Sequence, residues 1–303
     1  MFVGHGLLAF AIVAFAATRL EVERATVLRV AALAALFATL PDLDIVYGLT
    51  GLFENSAALV PVDSFWAAGN RIHRGVTHAL PVGAVTAMAV GLLARRDRRL
   101  RALGVSVLVA LVAFVFAYSG ALAGAVTLLL ALGAVGLVAA ASRYDLSPTA
   151  VAGAALVGLL SHPFGDLLTG EPPALLYPVD VTLVAERVTL STDPTLHLLG
   201  AFGVELATVW LALGAYFWVT GRRPHSHVDR RAVVGVGYAG AALALPAPTL
   251  DVAYPFVFSV LAVGMVGAAP PPLSRVRSAR AVVTGTAAVS LAAVAYALVY
   301  LFV

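Results

Sequence analysis

Residues 102–118 and 122–141 read ALGVSVLVALVAFVFAY and LAGAVTLLLALGAVGLVAAA, and neither run holds a charged side chain. Crossing the hydrocarbon layer as a helix takes about 20 apolar residues, because each residue advances about 1.5 Å along the axis. Windows that reach or approach this length recur along the 303 residues, at roughly 3–18, 27–40, 76–94, 102–118, 122–141, 150–162, 196–220, 232–247, 252–269 and 281–303. With 61% hydrophobic residues, 12% charged residues and a mean hydropathy of +0.97, the chain lacks the polar surface of a water-soluble domain. The windows predict an all-α fold, a polytopic integral membrane bundle of about ten transmembrane helices. The second and sixth are short, and predict helices with little tilt or helices that stop inside the bilayer against protein neighbours. The first starts at Val3 with no basic segment before it, and reads as a retained span rather than a cleaved signal.

Arginine placement predicts the sides, since basic residues in short loops stay cytoplasmic. Arg19, Arg24 and Arg29, the run RRDRRLR at 95–101, Arg143, the run GRRPHSHVDRR at 221–231, and Arg275, Arg277 and Arg280 fall in alternate connections. Together they hold 16 of the 19 arginines. Arg71, Arg74 and Arg187 fall on the other side. This bias predicts a multi-pass protein of the cell membrane with both ends extracytoplasmic. The net charge is only +3, and the arginines sit in short clusters beside apolar runs, which argues against a nucleic-acid partner. With no cysteine there is no disulfide framework, no thiolate zinc site and no cysteine nucleophile, so any metal must be held by His, Asp and Glu.

His5, Asp42, Asp44, His73, His78, His162 and Asp166 come from four separate stretches, yet each falls at the outer end of a window or in the adjoining outer loop. The arginine pattern used none of them, so their convergence independently predicts a common site. The first outer loop, 41–75, carries Tyr47, Phe65 and Trp66, aromatic residues suited to headgroup depth. The second, 163–195, contains VTLVAERVTL, whose β-branched residues predict a short β element within 179–192. Polar residues thin out after residue 196, which predicts a metal-site membrane domain at 1–195 and a set of C-terminal helices at 196–303.

The PDLD at 41–44 offers two hard oxygen donors, or one ligand and one partner that orients a histidine. By itself it equally fits an acidic turn at a helix end. His73 and His78 of HRGVTH would diverge by roughly 140° on one helix. A bend at Gly75 would leave His73 in the incoming loop and His78 in the first turn, free to converge. Arg74 between them calls for an anionic partner, a phosphate or a site carboxylate. Interfacial histidines with an arginine snorkelling to lipid phosphate fit that motif as well. In HPFGD, His162 and Asp166 are four apart and share a helical face, with Pro163 suited to a first turn; a capping Asp166 and a packed His162 is the plainer alternative. His5 lies between Gly4 and Gly6 at the outer start of the first window. His197 is also outer, Glu205 lies about two turns into the seventh window and is placed to support the site from behind, and His225 and His227 fall in the arginine-rich inner loop, in solvent.

The order GHGLLAF, LPDLD, HRGVTHAL and SHPFGDLLTGEPPALLYPVD resembles the YdjM-type family of membrane-bound proteins regarded as metal-dependent hydrolases, over roughly residues 1–180. The resemblance implies a helical metal site built from His5, Asp42 or Asp44, His73, His78, His162 and Asp166. The expected activity is hydrolysis with one or two divalent ions, zinc by the histidine share, which lower the pKa of bound water toward about 7. Asp42 or Asp44 would serve as base or orient that water, and Arg74 would hold a phosphate oxygen. A site opening at headgroup depth predicts membrane lipid as partner and a phosphoester in a lipid or lipid-linked molecule as substrate. The rival readings are a cation-binding transporter, which needs polar groups continuing across the membrane, and a structural protein with a closed, non-catalytic metal site.

Overall fold

A computed structural model describes residues 3–20, 22–54, 64–65, 68–69, 73–268 and 278–302. Trp66, Arg71, Arg275 and Arg277 lie outside the described residues. The chain forms two compact units, Met1–Arg187 and Val188–Val303.

In the first unit, α1 (Gly4–Ala17), α2 (Arg24–Ala38), α4 (Leu80–Leu93) and α6 (Pro148–Gly165) form a bundle in which α6 packs against the other three. A 3-10 segment, Pro41–Tyr47, and the short α3 (Gly48–Glu54) follow α2. Small residues allow the close crossings: a Cβ on Gly158 of α6 would come within 2.5 Å of the Ala34 carbonyl oxygen and 2.7 Å of the Phe37 Cβ on α2. The helix α5 (Arg98–Ala141) is broken at Gly120, whose φ of 87° and ψ of 178° are not helical. There the chain doubles back, since a Cβ on Gly124 would meet Phe116, and Leu108 and Ala131 from the two arms share one buried cluster with Ala89 of α4.

The second unit holds α7 (Pro194–Thr220), α8 (Ala241–Ala244), α9 (Tyr254–Ala268) and α10 (Ser278–Phe302). Leu198 and Phe202 of α7 pack with Phe256 and Val260 of α9 and Val289 and Tyr296 of α10 in its core.

Among the described residues the regular structure is entirely helical, and two expectations are corrected. The described residues do not show ten helices long enough to cross. Among the described residues four stretches are long and apolar enough to cross: Arg98–Tyr144, whose two arms either side of Gly120 correspond to the windows 102–118 and 122–141, Pro148–Leu168, Pro194–Thr220 and Ala279–Phe302. A fifth arises if Arg24–Ala38 and Pro41–Phe53, bent by 41°, cross as one. The helices α1, α2 and α4 have 14, 15 and 14 residues and reach only about 21–23 Å, short of a hydrocarbon layer about 30 Å thick. Window 232–247 folds as a 3-10 stretch, Arg230–Gly240, and the one-turn α8, because its glycines favour no α-helix and Pro246 holds Leu245 extended at ψ 150°. The β element is also absent: residues 179–192 carry no strand among the described residues. A β-branched arm without a second arm to pair with has no hydrogen-bond ladder to hold it.

Candidate metal centre

The two ends of the sequence motifs meet where α1 and α4 begin and α2 and α6 end. His5 sits in the first turn of α1, Asp42 and Asp44 in the 3-10 segment after α2, and His78 in a 3-10 turn, Val76–His78, ahead of α4. His162 and Asp166 straddle the end of α6. Here the structure departs from the expected first turn at Pro163, because the helix starts earlier. Ser147 accepts a hydrogen bond from the Ala150 N–H at 3.2 Å and Pro148 occupies the first turn. Pro163 then falls near the last turn, where a missing N–H costs one bond. His73 and His78 do converge, with ring centroids 5.1 Å apart, but the reversal begins one residue earlier than expected, at Arg74, whose φ is 67°.

Four donors face one another. His78 Nε2 lies 3.5 Å from Asp42 Oδ1 and 3.3 Å from Asp166 Oδ2; His162 Nε2 lies 3.4 Å from Asp42 Oδ1 and 3.7 Å from Asp166 Oδ2. Neither Nε2 makes an aligned hydrogen bond, although both are buried. These spacings exceed a normal N–H···O distance of about 2.7–3.2 Å. They lie near the separation of neighbouring ligand atoms, about 3.3–3.6 Å, around an ion with ligand bonds of about 2.0–2.2 Å. Asp42, His78, His162 and Asp166 therefore form a group able to hold a divalent ion. The Asp42 side chain is 25% exposed while the other three are buried, so the group is open on one side.

The opposite edges of the rings fix their orientation. His162 Nδ1 donates to the carbonyl of Ala38, the last residue of α2, at 2.6 Å. A carbonyl only accepts, so Nδ1 carries the proton and Nε2 faces the group bare. For His78, Thr77 Oγ1 donates to Asp44 Oδ2 at 3.0 Å, so its oxygen accepts from His78 Nδ1 at 3.1 Å. Asp44 Oδ1 accepts from His73 Nδ1 at 2.9 Å. Asp44 thus stands behind the group rather than in it, orienting His73 directly and His78 through Thr77. Burial alone would depress His78, but the carboxylates of Asp166 and Asp42 beside Nε2 and of Asp44 beside Nδ1 outweigh it and raise its pKa to about 9.

His5 approaches from the other side of Asp166, with Nε2 3.3 Å from Oδ1 and its ring 4.1 Å from that of His162. A Cβ on Gly165 would lie 2.5 Å from the His5 ring, so that glycine makes the room. Arg74 finds a site carboxylate: Nη2 lies 3.6 Å from Asp166 Oδ1 and donates to Thr169 Oγ1 at 3.2 Å. His197 and Glu205 belong to the second unit, where His197 Nδ1 accepts the Leu190 N–H at 3.1 Å. His227 is not simply solvated; it is half-buried, with its ring 5.0 Å from that of Phe217. Thr77, Thr169, Gly165, Gly170 and the Ala38 carbonyl were not singled out from sequence. A backbone carbonyl has no sequence signature, and the threonines and glycines act only through what the fold sets beside them.

Fold and site together define an all-helical membrane protein with a buried His/Asp cluster able to hold a metal ion. The pattern of the YdjM inner membrane protein family matches residues 1–226, and the chain belongs to that family. The match runs past the motifs and through α7. No curated protein and no solved structure matches the chain.

Proposed function

We propose that this protein is a membrane-embedded metal-dependent hydrolase acting on a phosphoester of a lipid or lipid-linked molecule. The observation that carries the reading is the pair of histidines anchored through Nδ1, whose Nε2 atoms meet two carboxylates at the spacing of neighbouring metal ligands. Asp42, His78, His162 and Asp166 would hold the ion, and zinc suits two imidazoles with two carboxylates. When bound, the ion supplies a Lewis acid that brings the pKa of water toward about 7.

The chain's own residues account for the rest. Asp44 holds His73 through Nδ1, which leaves His73 Nε2 at the rim to take the proton from attacking water. Arg74 offers its guanidinium to a phosphoryl oxygen. With four protein donors the ion would take water as a fifth ligand, and the side beside Asp42, a quarter exposed, is where that water can enter. The arginine bias supports a site on the extracytoplasmic side, within reach of lipid headgroups. The test is hydrolysis of a panel of phosphoester lipids by the full chain in nanodiscs, before and after chelation. Activity lost on chelation and restored by zinc supports the reading; activity indifferent to chelator overturns it.

A further inference from the structure

Paired ions in phosphoester sites lie about 3.5–4 Å apart, so a second ion needs a second set of donors adjoining the first. Two places adjoin this group. One is the trio Asp44, His73 and His78, whose donor atoms also lie close enough for an ion. Those atoms are already engaged: Asp44 accepts from His73 at 2.9 Å and from Thr77 at 3.0 Å, and His78 Nδ1 is bonded to Thr77 at 3.1 Å. To serve ions on both sides, His78 would have to give up both ring protons. The other place is the far oxygen of Asp166, where His5 Nε2 stands 3.3 Å away. Arg74 Nη2 already stands 3.6 Å from that oxygen.

Three features seat the guanidinium there. Thr169 Oγ1 accepts from it at 3.2 Å, the Arg74 backbone adopts a φ of 67° that few non-glycine residues take, and a Cβ on Gly170 would overlap it. Its Nε is buried and makes no hydrogen bond, leaving a donor for an arriving oxygen. A fixed positive charge at this place repels a second dication and attracts an anion.

We propose that the centre takes a single divalent ion and that Arg74 supplies the positive charge a second ion would bring, gripping the phosphoryl oxygens of the substrate. This rests on the metal-dependent reading above. The experiment strips the full chain of metal, reloads it with zinc, counts zinc per chain by mass spectrometry, and titrates the loaded protein with inorganic phosphate by calorimetry. Wild type should hold one zinc. Arg74→Met should keep that zinc and bind phosphate about 10-fold or more weakly, the loss of one charge-assisted hydrogen bond. Gly170→Ala, which displaces the guanidinium without removing it, should weaken phosphate in the same direction. Two zinc ions per wild-type chain, or unchanged phosphate affinity in both variants, overturns the proposal. No zinc in wild type removes the metal reading itself, so the zinc count tells the two failures apart.

Discussion

At the scale of single residues, the site is a set of orientations as much as a set of donors. Thr77 contributes no ligand, yet it decides which edge of His78 meets the group. Thr77→Val should therefore weaken metal binding by about 10- to 100-fold while Thr77→Ser largely restores it, as read by competition with a chromophoric chelator. His73→Ala separates base from ligand: turnover should fall about 100-fold or more with the metal content unchanged. Protonation gives a further test. With its pKa raised to about 9, His78 carries a proton in the metal-free protein at neutral pH, and an ion must displace it. Zinc affinity should then keep rising from pH 7 toward 9, where a histidine of ordinary pKa would already have levelled off. A group whose pKa is higher folded than unfolded stabilises below its unfolded value near 6.5 and loses that contribution as pH passes about 9. The metal-free protein should lose thermal stability through pH 9, which melting in detergent will show. At this scale the sequence displayed each residue that the fold gathers here, from His5 to Asp166. It did not separate Asp42 from Asp44, because two carboxylates two residues apart look alike until the carbonyl, hydroxyl and ring that each meets are in place.

At the scale of elements, the site exists because four helix ends coincide. The starts of α1 and α4 and the ends of α2 and α6 carry the motifs, and α6 is the member that touches the other three. Its crossing with α2 depends on Gly158, where a methyl group would press on the Ala34 carbonyl and Phe37. Gly158→Ala should destabilise the protein by about 1–3 kcal/mol and lower metal affinity, since it pushes His162 away from the Ala38 carbonyl. Gly153→Ala on the same helix meets nothing within 4 Å and should be neutral or stabilising by up to about 1 kcal/mol. Melting temperatures of the two variants decide. Hydropathy located most of these elements but measured apolar length, not helix length. It therefore divided α5 correctly on either side of Gly120, and it counted a glycine-rich 3-10 stretch at 230–240 as a span. The β-branched run after Val179 looked like a strand for a similar reason: propensity is local, whereas a strand needs a partner.

At the scale of the whole molecule, the proposed sidedness puts the arginines and the site groups at opposite ends of the apolar windows. That sidedness can be tested with the natural chain as background, because it has no cysteine. Single variants Glu186→Cys and Arg99→Cys should be labelled by an impermeant maleimide from opposite sides of sealed vesicles, Glu186→Cys from the outside. Labelling of both from one side contradicts the arrangement. The central claim is chemical: two imidazoles and two carboxylates from three distant stretches close around one ion. Zinc K-edge X-ray absorption on the reloaded full chain measures it most directly. The account predicts a shell of nitrogen and oxygen at about 2.0–2.1 Å with the outer scattering of two imidazoles, reduced to one in His162→Ala. An all-oxygen shell without imidazole scattering, or a spectrum unchanged in that variant, would contradict it.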